Sequence, residues 1–364
     1  VRAALLAVAL TCACAGRYPD ARHAVQLVPA TAGLPEIPRR CLVANHVHTI
    51  ISDRYSHAPG PIHRAYAYSP QGLRAAISAF RAAGVDAIVL TDHNAIDAIF
   101  DPQVHAAGLT ILGGMEWTTR RGHALLIGAA ASTPADAIVP PPWRDAIGPA
   151  DFQRMVATTH ARGGLVIIAH PRVPFRTWPD DTFGADGVEV WGLDNPLMRN
   201  PAALRWWHDR LVAGERLVAI AGTDLHPGAA IRRHHHPLNW VYAPGCDAPA
   251  ILAAIRAGHV SPVRDRDSPT LVLGAETGGA LDFADAREGD TLGPGAVALQ
   301  VRVVAGSGAK LRILGRKGLL LTTTIPTRDH SLRLRLSLRP GDFVRAELRA
   351  RGRLVALTNP LYVR

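Results

Sequence analysis

Five short stretches of this chain carry histidines and carboxylates at spacings that suit a metal ion. They are His46-Val47-His48 followed by Asp53, Thr91-Asp92-His93, Glu116 with His123, His170-Pro171, and Thr223-Asp224-Leu225-His226. Neutral imidazole with ionised carboxylate makes a mixed nitrogen and oxygen shell. Without thiolate, that shell suits zinc, manganese or iron, with two or three ions for a donor set of this size. On extended backbone the two side chains of a His-x-His or Asp-x-His pair point to the same side, because side-chain direction repeats every two residues. Any one pair is ordinarily a core or surface feature. The argument for a metal site is the joint occurrence of His46, His48, Asp53, His93, Glu116, His123, His170, Asp224 and His226, in order, at the ends of successive strands. A water held between two dications loses a proton near neutral pH and can attack phosphorus or a carbonyl carbon. Glu116, His170 and Asp224 are the candidates closest to that chemistry. Asp92, next to His93, is a candidate to orient a ligand imidazole. Arg172, Arg120 and Arg121 lie beside ligands and offer guanidinium forks for a phosphate. Trp117, Trp191 and Asn195 are candidate pocket walls.

The elements that must position these groups alternate. Short apolar runs at Cys41–Val47, Val85–Leu90, Leu109–Leu112, His123–Ile127, Leu165–Ala169, Gly187–Trp191 and Leu217–Ala221 read as strands. Ser69–Ala83, Asp151–Arg162 and Pro201–Ala213 have helical spacing; in the first, Leu73, Ile77 and Phe80 share one face and Gly84 follows. This alternation predicts parallel βα units in a barrel or open sheet. In a barrel, all the strand ends would gather their ligands on one face. Beyond residue 264 the period changes to two: Leu332, Leu334, Leu336 and Leu338 alternate with Arg333, Arg335, Ser337 and Arg339. We therefore expect residues 41–264 to form an α/β metallohydrolase domain and residues 265–364 a small all-β, sandwich-like domain.

His-x-His-Thr-x-x-Ser-Asp, Thr-Asp-His-Asn, Gly-x-Glu with Gly-His, Ala-His-Pro and Gly-Thr-Asp-x-His, spanning His46 to His226, resemble the successive motifs of the PHP (polymerase and histidinol phosphatase) superfamily. The resemblance implies a distorted (β/α)7 barrel. It also implies one metal on His46, His48, Glu116 and Asp224, a second on Glu116, His123 and His170 with Glu116 bridging, and a third on Asp53, His93 and His226. The C-terminal region, ending in Leu357-Thr358-Asn359-Pro360-Leu361-Tyr362-Val363, resembles the CehA/McbA branch, named for a carbaryl hydrolase. Two features depart from the pattern. Arg54 stands where a glycine usually follows Ser-Asp, and an insertion, Arg54–Tyr68, carries His57 and His63. His234-His235-His236 follows the last ligand pair and reads as a polar loop.

The function expected is hydrolysis of a small, anionic, phosphorylated substrate. The alternatives are a carbamate, carboxylic ester or amide hydrolase, and a non-catalytic surface- or carbohydrate-binding protein. The net charge of +10 sits almost wholly on arginine, since Lys310 and Lys317 are the only lysines. The arginines are scattered without interleaved aromatics, which argues against nucleic acid as a partner. A hydrophobic fraction of 48 % provides for a core rather than disorder. Residues 1–16, with Arg2, the apolar stretch Ala3–Leu10 and Ala13-Cys14-Ala15, read as a signal peptide for export to the periplasm or beyond. Cys12 or Cys14 offers a lipidation alternative. Residues 17–40 read as a linker. Cys41 and Cys246, far apart in sequence, are expected to be free and buried, with a disulfide as the alternative in an oxidising compartment.

Overall fold

The computed structural model describes residues 26–28, 36–49, 68–133, 136, 138–139, 147–173, 181–192, 200–226, 236–276 and 286–364. Its strands are β1 (Gln26–Val28), β2 (Cys41–Val47), β3 (Ala87–Leu90), β4 (Thr110–Thr118), β5 (His123–Ile127), β6 (Leu165–Ala169), β7 (Gly187–Trp191), β8 (Val218–Leu225), β9 (Leu238–Val241) and β10 (Val260–Val263). There follow β11 (Thr270–Glu276), β12 (Thr291–Leu292), β13 (Gly295–Val304), β14 (Lys310–Gly315), β15 (Gly318–Thr324), β16 (His330–Leu338), β17 (Phe343–Ala350), β18 (Arg353–Leu357) and β19 (Leu361–Val363). The described helices are α1 (Pro70–Ala82), α2 (Pro149–Ala161), α3 (Asn200–Val212) and α4 (Ala248–Ala257).

Strands β2 to β8 pair in sequence order, and β8 pairs back to β2, closing a seven-stranded barrel. The sequence predicts parallel βα units throughout, and the barrel departs from this in the middle. β4–β5 and β5–β6 are antiparallel, while the other barrel pairs are parallel. Two short 3-10 turns, Asp97–Phe100 and Pro102–Val104, join β3 to β4 where a helix would stand in a regular layout. β4 also runs past the expected end at Leu112 to Thr118, so Glu116 lies within a strand rather than after one. Gly113 and Gly114 lie just past that expected end. Here both are places of close approach: a Cβ on Gly113 would lie 2.8 Å from the Ile99 side chain, and one on Gly114 2.8 Å from the Leu126 carbonyl.

Helix α1 forms as its sequence dictates. Ser69 Oγ accepts from the Gly72 N–H at 3.1 Å, Pro70 opens the first turn, and Leu73, Ile77 and Phe80 are buried. Each such side chain contributes roughly 1.5–3 kcal/mol of burial. At the start of β8 the barrel seam is open, because β9 occupies the first half of the β2 edge. Two side-chain amides satisfy the β8 backbone there. Asn239 bonds both the N–H and the C=O of Ala221 at 2.8 Å, and Asn359 bonds those of Ala219 at 2.7 and 2.9 Å.

The C-terminal strands make two layers. One sheet runs β1-β16-β13-β11, so Gln26–Val28, inside the expected linker, adds an edge strand. The other layer contains β14, β15, β17 and β18 and is continuous with the barrel through β10 and β9. The core is shared too: Leu42, Leu73 and Phe80 of the barrel belong to the same apolar cluster as Leu271, Leu299, Leu334 and Leu348. In β16 the alternating leucines are buried, while Arg335 and Ser337 are exposed. Cys41 and Cys246 are disulfide-bonded, not free, with Cα atoms 5.7 Å apart. Cys41 pairs with Val241 across β2 and β9, and the chain after Val241 turns back, so the strand register removes the 205-residue separation.

Candidate metal centre

Eight of the nine residues expected to bind metal, all but Asp53, gather at one end of the barrel, and Glu116 stands at their middle. Its Oε1 is 2.6 Å from His123 Nδ1, 3.0 Å from His170 Nε2 and 3.4 Å from His46 Nε2. Its Oε2 is 2.7 Å from His93 Nδ1, without the alignment of a hydrogen bond, and 3.5 Å from His48 Nε2. Asp224 Oδ1 faces the same two imidazole nitrogens from the other side, at 3.5 Å from His46 and 3.3 Å from His48. Four overlapping groups result, each with donor atoms within 4.8 Å of one another: His46–His48–Asp224, His46–Glu116–His170, His93–Glu116–His123 and His48–His93–His226. Asp53, His57, His63, Asn195, His234 and His235 lie outside the described residues.

Local backbone geometry sets this up. His46, Asn94, His170 and Asp224 all have left-handed backbone, with φ of 62, 52, 24 and 44°. That conformation is uncommon for residues with a Cβ and concentrates at functional sites. His46 also sits in an irregularity of β2, where the register against β3 and β8 shifts. His46 and His48 therefore both reach the cluster, with ring centroids 5.0 Å apart, but by way of a bulge and not the flat pleat that i, i+2 spacing suggests. Fixed contacts hold these turns. Thr223 Oγ1 donates to the His46 carbonyl at 2.7 Å, and Asn94 Oδ1 accepts from the Thr118 N–H at 2.9 Å. Asp92 accepts both the N–H and the hydroxyl of Thr49 at 2.6 Å, and its Oδ1 also faces the His48 imidazole, 3.9 Å from Nδ1. It thus anchors Thr49, the residue that follows His48.

The electrostatics are those of ionised carboxylates among imidazoles. Burial opposes charge on Glu116, but His123, His93 and His46 outweigh it and hold its pKa well below the usual range. Asp224 is likewise depressed: burial opposes, and His46, His48 and His170 prevail. Burial works against a charged His46, yet Glu189, Glu116 and Asp224 raise it well above normal; His170 is raised against burial chiefly by Glu116. Burial pushes His123 down to about 4, and burial with neighbouring imidazoles lowers His48 and His226.

The donor set fits metal ions by its leftover valence. His46 Nε2, His48 Nε2, His93 Nε2, His226 Nε2 and Glu116 Oε2 are buried and have no hydrogen-bond partner among the described residues. Buried polar atoms are ordinarily satisfied, so several orphans aimed into one cluster mark the place of a cation.

The candidate substrate residues divide. Arg120 and Arg121 are exposed in the β4–β5 turn, which Thr119 braces by accepting from Arg121 N–H at 3.1 Å. Arg172, two residues past His170, is half-buried with its guanidinium 4.9 Å from the Trp206 ring centre. Trp117 and Trp191 belong to the apolar core with Phe152, Trp206 and Trp207, so both pack rather than line an open wall. Sequence reasoning passed over Glu189, which is buried and contacts two members of the cluster. A signal was present: a carboxylate in the apolar strand Gly187-Val188-Glu189-Val190-Trp191 must have a buried partner.

No family model and no curated protein matches this chain. Among solved structures, it is similar to a two-domain protein from Bacteroides vulgatus containing a predicted PHP-like metal-dependent phosphoesterase. That match has 15 % identity and a TM-score of 0.47, covering 92 % of this chain and 100 % of the other. It is also similar to an amidohydrolase from Chromobacterium violaceum, at 16 % identity and a TM-score of 0.33, over 50 % of this chain and 87 % of the other. Both likenesses are distant, and what the site can do follows from its own side chains.

Proposed function

We propose that this chain is a PHP-type metal-dependent hydrolase whose preferred substrate is a small phosphate ester. The observation that carries the reading is Glu116: one buried carboxylate in contact with five imidazoles, several of them with orphaned nitrogens. His46, His48, Glu116 and Asp224 would hold one divalent ion, Glu116, His123 and His170 a second, and His93 and His226, with Asp53, a third. Zinc, manganese and iron all suit these donors. Such ions supply an activated water and Lewis-acid stabilisation of developing negative charge. The chain's part is to hold the donors at a common centre, to keep Glu116 and Asp224 ionised, and to place cations where the substrate arrives. Arg120, Arg121 and Arg172 flank the cluster in sequence and favour a phosphoryl over a neutral carbonyl substrate. We further propose export to an oxidising compartment, which the N-terminal pattern and the Cys41–Cys246 bond support. No helix among the described residues is long and apolar enough to cross a membrane.

The test is to load purified protein with zinc, manganese or iron and assay small phosphate esters beside carbamates and carboxylic esters. Metal-dependent phosphate release is expected. Turnover of carbamates alone would move the assignment to the carbonyl branch. Failure to bind any of the three metals would overturn the hydrolase reading itself.

A further inference from the structure

Glu189 has two oxygens, and each is committed to a different member of the cluster. Oε1 accepts from His46 Nδ1 at 2.9 Å, and Oε2 accepts from the His170 backbone N–H at 2.9 Å. The residue is 2 % exposed and lies outside the four donor groups. Gly222, on the neighbouring strand β8, makes room for it: a Cβ there would fall 1.9 Å from Glu189 Oε1. We propose that Glu189 is the positioning residue of the centre, setting the geometry of two ion sites at once; this rests on the metal reading above. An acceptor at Nδ1 keeps the proton on that nitrogen and turns the lone pair of His46 Nε2 toward Glu116 and Asp224. The same carboxylate holds the N–H of His170, whose φ of 24° needs an external restraint. His46 and His170 belong to one donor group with Glu116. Glu189 thus fixes from outside the spacing that Glu116 spans from inside.

Glu189→Gln keeps the shape but replaces one acceptor oxygen with a donor NH2, so either His46 Nδ1–H or His170 N–H loses its partner. Gly222→Ala keeps the carboxylate but displaces it, and supplies an independent variant should the first not fold. Asp186→Ala is the structural control: Asp186 accepts from the Val166 N–H at 2.7 Å, just before β7, outside the metal cluster. The measurement is cobalt(II) titration of the full chain by visible absorption, with bound metal counted by elemental analysis and folding followed by melting temperature. Both Glu189→Gln and Gly222→Ala should weaken cobalt binding about 10–100-fold, as loss of a partner behind a metal ligand does, and alter the ligand-field band. Asp186→Ala should lower the melting temperature and leave the band unchanged. If wild type takes up no cobalt, the metal reading fails and Glu189 has nothing to position. If wild type loads while both site variants load with the same affinity and spectrum, the metal reading stands and the role of Glu189 is refuted.

Discussion

Replacing Glu116 by glutamine is the most demanding test of the centre. The substitution keeps volume and one carbonyl oxygen but removes a negative charge and the symmetric pair of acceptors. All five imidazoles within 3.5 Å of the carboxylate lose that charge at once. A unit charge pair about 4 Å apart is worth about 4 kcal/mol at an effective dielectric of about 20. Each dication beside Glu116 therefore has several kcal/mol at stake before solvent and the remaining ligands compensate. An opposing effect exists: Glu116 also raises His46 and His170, so its loss eases their deprotonation and relieves competition by protons. That relief vanishes once both rings are neutral, so the comparison belongs at alkaline pH. There, at least one ion should be lost, and hydrolysis should fall by at least ~100-fold, about 2.7 kcal/mol, in line with removal of an important electrostatic element. Metal content by elemental analysis and turnover are measured on the same samples. A variant that keeps its full complement of metal and a normal rate would refute the bridging role and the chemistry built on it.

Metal affinity should fall as pH drops below the raised pKa values of His46 and His170, because each ring must release a proton to become a ligand; His48, His123 and His226 are lowered and do not compete near neutrality. Zinc titrations across pH should show release of up to about two protons, and a pH-independent affinity would contradict the assignment. Reducing Cys41–Cys246, or changing both cysteines to serine, should cost up to about 5 kcal/mol by the loop-entropy relation for a loop of this length, read as a lower denaturation midpoint. An unchanged midpoint would show that the bond does not constrain the unfolded chain. Glu347 accepts from Arg345 at 2.9 Å and from Arg349 at 3.0 Å; Glu347→Ala leaves the fully buried Arg345 without its carboxylate and should cost about 3–5 kcal/mol. Burial opposes ionisation of Glu347, but Arg345, Arg349 and Arg312 hold it at about 2. Its stabilisation is therefore present above the unfolded value of about 4.3 and lost as pH falls toward 2. In Glu347→Ala the acid limb of the stability curve should be shallower, and an unchanged limb would show that Glu347 is not what acid titrates.

The identities of the clustered side chains could be read from the sequence, because metal chemistry restricts the donors to a few residue types and strand periodicity restricts where they recur. His46, His48, His93, Glu116, His123, His170, Asp224 and His226 do come together. So could helix α1, whose cap and apolar face are local properties, and the alternation in β16. Other features depend on contacts between residues distant in sequence. The antiparallel β4–β5 and β5–β6 pairings bring Gly114 against the Leu126 carbonyl, a contact that no local pattern announces. The disulfide depends on the register of β2 against β9. Glu189 stands in an apolar strand, and only barrel closure shows that its two oxygens meet His46 and His170. The left-handed backbone at His46 and His170 is likewise unfavourable locally and persists because surrounding hydrogen bonds hold it. Composition and period specify which groups are available and which side of a strand they occupy. The distances that make them a site come from strand pairings such as that of Val47 with Leu225, 178 positions apart, for which no local pattern exists.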